Sequence, residues 1–566
     1  MVHTGAGSGA GMGARRCPGK HPTHDTFWDF VSLHTEAQAH ALWNMSDRGI
    51  PRSYRTMEGF GVHTFRVTNS AGESTLVKFH WKPKLGVHSL TWDEALLTNG
   101  QDPDFHRRDL AEAIDAGAFP EWELGVQVFP DTPEEMFEGI DLLDPTKFVP
   151  EELAPVTPIG KMVLHKNPDN YFAETEQVAF HPGHLVPGID VTNDPLLQVR
   201  LFSYIDTQLT RLGGPNFSQI PINRPLAPVN DMQRDGFHQQ YVHEGVAPYS
   251  PNSLDGGCPF MAGGGRPDAE GALPEEEGDI LDAPRDVAGK PAFIDVPQAI
   301  EAALKERTEP ATFEDHFSQA RMFYRSLTQT EQLHVQQAYT FELGKCMNLT
   351  VRQRQLQALA NIDSSLCATV ARGLGLPAPT PTVEVPDRAL SPSVAQIGQV
   401  WPVDGRVVGV VADHSTDADT LAAIVSGATA AGLNPKTIAP DGGVLPHGEP
   451  ADRSLLTVRS IECDAVIFLA TPPPAPDAVP DLDHKSALVS PGVDVVDPRI
   501  VLLVQELYRQ GKAMVLAGMP VDALAPLGVP ANTPGVTSVE PTDAVETLTS
   551  LLAKHRAWER FSPVPA

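Results

Sequence analysis

At 566 residues, with 41% hydrophobic and 20% charged, the chain is longer than one core usually organises; its 53 prolines and 46 glycines imply long ordered loops or linkers. A formal net charge of -30 argues against nucleic acid as a partner, because phosphate binding relies on clustered Lys and Arg that are scarce here. There is no apolar run of roughly 18 residues and no apolar stretch in the leader MVHTGAGSGAGMGARRC, so neither a membrane span nor a secretory signal is expected and the reading is cytoplasmic.

Residues 1–24 read as a disordered leader, and their GAGSGAGMGA lacks the strand, spacing and helix of a phosphate loop. Four strands are predicted next, at GVHTFRVT, STLVKFHW, WELGVQVF and IGKMVLHK, with RRDLAEAIDAG as a helix that Gly117 stops. This mixture points to α+β rather than a regular βαβ series. Residues 167–254 are rich in Pro, Asn and Gly around one helical island, Pro195 to Leu212, and so long an irregular stretch usually serves function. A flexible excursion is expected over 255–310.

Residues 311–376 form a helical block, with a capping box at Thr328 and Glu331. Its apolar stripe runs through Leu356, Leu359, Ile362, Leu366 and Val370. A Pro-rich linker at 377–404 leads to a last unit, 405–566, where apolar strands (VVGVVA, KTIA, CDAVIFLA, AMVLA) alternate with helices near Asp417 to Ala431, Pro498 to Arg509 and Thr542 to Ala557. That alternation implies a buried parallel sheet of flavodoxin-like type. The five cysteines, Cys17, Cys258, Cys346, Cys367 and Cys463, are odd in number and form no CxxC pair, as suits a reducing compartment without structural zinc.

The most informative stretch is R-L-F-S-Y-I-D-T-Q-L-T-R-L-G from Arg200. On a helix, Arg200, Tyr204 and Arg211 share one face. A guanidinium beside a phenol favours the phenolate, a hard anionic ligand suited to ferric iron, and Arg211 could meet a carboxylate. Spacing alone does not distinguish this from a buried aromatic beside two surface arginines.

The same stretch resembles the proximal haem-ligand signature of the monofunctional catalases. DTFWDFVSLHTEAQAHALWNMSDRGIPRSYRTMEGFGVHTFR, KFHWKP, DPDFHRRDL, DLLDPTKFVPEE, GKMVLHKNPDNYFAE and GGPNFSQIPINRP resemble the core of that family in order, and the helical block and last unit are similar to what its large-subunit members carry after the core. The resemblance implies the second half of an antiparallel β-barrel over 25–254 with a long wrapping loop. It also implies Tyr204 as the iron ligand, Arg200 as its hydrogen-bonding partner, His63 and Asp194 as the residues buttressing that arginine, and Arg211 on the haem-propionate side. His181 matches a position associated with a His–Tyr link and conversion of b-type to d-type haem. Hydrogen peroxide as substrate, a homotetramer, and no nicotinamide nucleotide follow from the same resemblance.

One departure stands out. The family's distal histidine and asparagine, in V-x-H-A-x-G and G-N-N-x-P, precede the DTFWDF region, and neither motif is present; His3, His21 and His24 lie in the wrong context. A misplaced start, a truncated and catalytically impaired haem-binding remnant, and a chain completed by a separate partner all accommodate this, the first being favoured. In the last unit, Ala517-Gly518-Met519 occupies the turn where amidotransferase-like relatives place a nucleophilic cysteine, and Cys463 precedes its strand, so a stabilising or oligomer-contacting module is expected.

Overall fold

The computed structural model describes residues 23–69, 71–186, 188–226, 308–446, 448–470 and 498–561, with isolated positions between 235 and 254. The expected leader (apart from Thr23 and His24), most of the 255–310 excursion, Cys17 and Cys258 lie outside the described residues.

Helices α1 (Thr23–Leu33) and α2 (Gln38–Asn44) open the described chain. An antiparallel sheet follows, built from β1 (Gly59–Phe60), β2 (Phe65–Thr68), β3 (Ser74–Pro83), β4 (Glu121–Pro130), β7 (Thr157–Val163) and β8 (Ile189–Val191), in the order β7-β4-β3-β2-β8 with β1 also on β3. Helices α3 (Trp92–Gln101) and α4 (Phe105–Asp115) and the small hairpin β5 (Met136–Phe137), β6 (Ile140–Asp141) sit between these strands. Period-two alternation gives the sheet two faces. Leu76 and Phe129 point into a core with Ile140, Leu142 and Val149. The opposite face aligns Phe65, Val77 and Val128, and Val128 is 51% exposed. The edge strand β7 is exposed over all but its last residue.

Helix α5 (Pro195–Arg211) covers the predicted helical island. The helical block is α6 (Ser318–Ser326), α7 (Gln329–Gly344), α8 (Leu349–Ile362) and α9 (Ser364–Leu374). Thr328 and Glu331 form the capping box of α7. The apolar stripe is buried, but it is carried by two helices rather than one. Asp363 ends α8 and caps α9 by accepting from Ser365 and Leu366 amides. Trp28 of α1 and Leu42 of α2 lie in the same core as Tyr324, Tyr339 and Leu359 of the block, so sequence-distant helices make one unit.

In the last unit the strands β9 (Val407–Val411), β10 (Asn434–Ala439), β13 (Arg453–Ser454), β14 (Ala465–Phe468), β15 (Ala513–Ala517) and β16 (Val536–Val539) pair in parallel, in the order β13-β10-β9-β14-β15-β16; β11 (Gly443–Val444) and β12 (Pro450–Ala451) form a separate hairpin. Helices α10 (Ala418–Ala430) and α12 (Ala544–Leu552) pack on one face and α11 (Pro498–Arg509) on the other. Alternate residues of one strand divide between those faces: Ala465 and Ile467 join α10, while Val466 and Phe468 join α11. The final helix is shorter than the apolar pattern from Thr542 to Ala557 suggests, because the chain turns at His555, whose φ is +66°. Burial pushes the Cys463 thiol up to about 12, which leaves it unreactive.

A buried ionic joint ties this unit to the antiparallel one. Glu94 of α3 lies 2.7 Å from Lys512 and 2.6 Å from Arg556, while Asp464 lies 2.8 Å from Arg52 and 3.0 Å from Arg406. Burial alone would raise both carboxyl pKa values; Arg556 and Lys512 hold Glu94 below the usual range, and Arg406, Arg52 and Lys512 hold Asp464 well below it. Among the described residues no helix is long and apolar enough to cross a membrane.

Candidate functional site

The site is organised by the start of α5. Proline at its first turn fits a helix because the missing N–H has no intrahelical partner there. Asp194 caps it: Oδ1 accepts from the Leu196 amide at 2.9 Å and the Leu197 amide at 3.1 Å. The other carboxylate oxygen accepts from His63 Nδ1 at 2.6 Å, and both side chains are buried. A carboxylate at a helix N-terminus also complements the helix dipole.

The backbone around His63 is held from several sides. Gly61 N donates to Phe79 O at 2.6 Å, Lys78 Nζ to Val62 O at 2.8 Å, and Thr64 Oγ1 to Leu142 O at 2.5 Å. Thr192 Oγ1 donates to Thr64 O at 2.7 Å, which ties this segment back to the approach to α5.

Further along the helix, Arg200 Nη2 donates to the Tyr204 hydroxyl at 2.5 Å, and its guanidinium carbon lies 4.8 Å from the ring centre. The phenol oxygen is thus an acceptor facing a fixed positive charge, and the ring is half-buried. His181 stands nearly perpendicular to Tyr204 with ring centres 6.4 Å apart. Its Nε2 lies 2.9 Å from Leu201 O, and its Nδ1 accepts from Gly183 N at 2.9 Å. His184 packs 5.0 Å from His181, and burial together with that neighbour lowers its pKa.

Two expected contacts take a different form. His63 and Asp194 pair with each other, yet among the described residues no hydrogen bond joins them to Arg200, and His63 Nε2 is buried without a partner. Arg211 binds the Glu176 and Val178 carbonyls at 2.8 and 2.5 Å and Gln208 Oε1 at 2.5 Å, so it sews the 176–178 segment to the helix. Sequence reasoning missed Lys78 and Gln208. The only signal for Lys78 is a charged residue within the strand run STLVKFHW, and Gln208 has none beyond lying one turn after Tyr204.

Comparison with known proteins covers most of the chain. The catalase family model matches residues 13–256, that of the catalase-related immune-responsive domain 310–374, and that of the C-terminal domain found in long catalases 404–562. The chain is 46% identical over 554 residues to catalase HPII of Pseudomonas putida, spanning 96% of this chain and 72% of that protein. It is 41% identical to catalase HPII of Mycobacterium avium over 97% of the chain and 75% of the relative, and 40% identical to catalase-2 of Bacillus subtilis over 95% and 73%. With a helix that presents a phenol to a guanidinium and three family domains matched in order, the chain belongs to the catalase family, in its long form with the additional C-terminal domain.

Proposed function

We propose that the protein disproportionates hydrogen peroxide to water and oxygen at a haem whose iron is held by Tyr204. The observation that carries this reading is the 2.5 Å hydrogen bond from Arg200 to the Tyr204 oxygen: it fixes the direction of a phenol oxygen, a donor type that suits ferric iron. Bound haem supplies the redox chemistry of peroxide cleavage.

The chain's own residues do the rest. Tyr204 would hold the iron through its phenol oxygen, and Arg200 keeps that oxygen in place by a hydrogen bond. Asp194 fixes where the ligand helix begins, and His63 fixes Asp194. Arg211 keeps the 176–178 segment against the helix, and its match to the propionate side of the haem stays within this proposal. The nearness of His181 to Tyr204, with ring centres 6.4 Å apart, suits a b-type haem that is open to conversion to d-type through a His181–Tyr204 link. The half-exposed face of the antiparallel sheet and the exposed β7 suit half of a barrel. The strand order of the parallel sheet, leaving aside the short β13, is that of flavodoxin-like folds. A cytoplasmic homotetramer without nicotinamide nucleotide completes the reading.

The test is haem titration of the full chain followed by the Soret band. Tyr204→Phe is expected to abolish stable incorporation, since phenyl offers iron no oxygen and leaves Arg200 unpaired. An unchanged Soret spectrum at full occupancy in Tyr204→Phe would remove Tyr204 as ligand. Oxygen release from peroxide separates the enzyme from a haem-binding remnant. The distal general acid–base group alone is worth roughly 10²–10⁴-fold, so ordinary catalase turnover rules out the remnant and turnover lower by such factors supports it.

A further inference from the structure

Lys78 is a charged side chain in the middle of β3 and is only 4% exposed. An isolated buried ammonium is costly, so its surroundings must compensate. Among the described residues its one hydrogen bond is the 2.8 Å contact to Val62 O, one residue before His63. Three carboxylates favour its charged form, Asp194 first, then Asp144 and Asp141.

Two of these carboxylates have other engagements. Asp144 pairs with Lys147 at 3.0 Å and accepts from Thr312, and Asp141 accepts from the Leu143 and Ala311 amides. Asp194 is fully buried, and among the described residues its side chain bonds only His63 and the first amides of α5. Of the three, Asp194 is the one that both caps the ligand helix and holds the histidine, and Lys78 grips the backbone next to that histidine. Burial lowers Lys78 to about 8, against the pull of the three carboxylates, so at neutral pH the ammonium is mostly charged.

We infer that Lys78 is a positioning residue for the ligand helix: its buried ammonium balances Asp194 and holds the Val62–His63 backbone, so that the start of α5, and with it Tyr204, stays in place. The link to Tyr204 rests on the reading of that residue as the iron ligand; the link to α5 does not.

Lys78→Met conserves the apolar stem and removes the charge and the hydrogen bond. Measured on the full chain by hydrogen exchange at about pH 7, the amides of Leu196 and Leu197 are expected to exchange roughly tenfold faster in Lys78→Met, with haem binding weakened by a similar factor. In the parent, raising the pH to about 9.5 should reduce the same protection after correction for the intrinsic rate, a test that needs no variant. Lys78→Arg, whose charge persists there, should keep its protection across that range. Equal protection in parent and Lys78→Met, or a parent indifferent to pH, overturns the inference whatever Tyr204→Phe does. Lost protection in Lys78→Met together with full haem binding by Tyr204→Phe removes the ligand and leaves Lys78 as the holder of α5.

Discussion

Helix α5 and the ionic joint are built on opposite terms. Of the seventeen residues of α5 only Leu197 and Gln208 are buried, and Phe202 is 76% exposed. At the joint, Glu94, Asp464, Arg52, Arg406, Lys512 and Arg556 are all buried. Helix α5, which carries the proposed iron ligand, is held at its N-terminus by one capping carboxylate and on its side by Arg211, whereas the two sheets are held together by charges with no water to fall back on. The difference teaches that the joint and the proposed site are anchored in separate places, so a variant at one is expected to spare the other.

The largest expected effect is at the joint. Asp464→Asn strips charge from beneath Arg52 and Arg406 and should cost about 3–5 kcal/mol in denaturant unfolding, the range for breaking a buried ion pair. A change under 1 kcal/mol would mean that the joint is no stronger than a surface ion pair.

His334 gives a smaller, pH-dependent effect. Burial penalises its charged ring, but the charge of Asp47 and their 2.8 Å contact outweigh this, with Glu331 assisting and Arg556 opposing, so its pKa is raised. A raised histidine pKa adds stability that is fully present below about pH 6.5 and disappears as the pH rises through the folded value. The stability advantage of the parent over His334→Gln should be about 1 kcal/mol near pH 6 and vanish near pH 9; thermal melts at the two pH values check this. An advantage that grows with pH would have the wrong sign for this pair.

The smallest expected effect is on the outer face of α5. Phe202→Ser should change stability by no more than about 0.5 kcal/mol, because the ring is already mostly in water. A larger loss, seen by calorimetry, would show that this face is covered in solution.

Much of the secondary structure was legible. The helix from Pro498 to Arg509 and the helix from Pro195 follow from apolar periodicity and from proline at the first turn, and the four strand runs of the antiparallel sheet each overlap an observed strand. Periodicity failed where one pattern served two elements. The stripe from Leu356 to Val370 keeps helical spacing across Asp363, and only the capping bonds of that carboxylate show the break. The short strands β8 and β16 have too few residues to display a period.

For the site, local spacing was enough to bring Arg200 and Tyr204 together, because an i, i+4 pair on a helix has nowhere else to be. What tertiary structure alone decided is the environment of the charges. Arg211 looks like a free cation in sequence and is spent on two carbonyls. His63 and Asp194 are 131 positions apart. Lys78, Glu94 and Asp464 look like surface charges, since a charged letter carries no mark of burial. Local periodicity follows from backbone geometry and is written in neighbouring residues; the partner that makes a buried charge tolerable comes from a distant segment, and only the folded chain brings the two together.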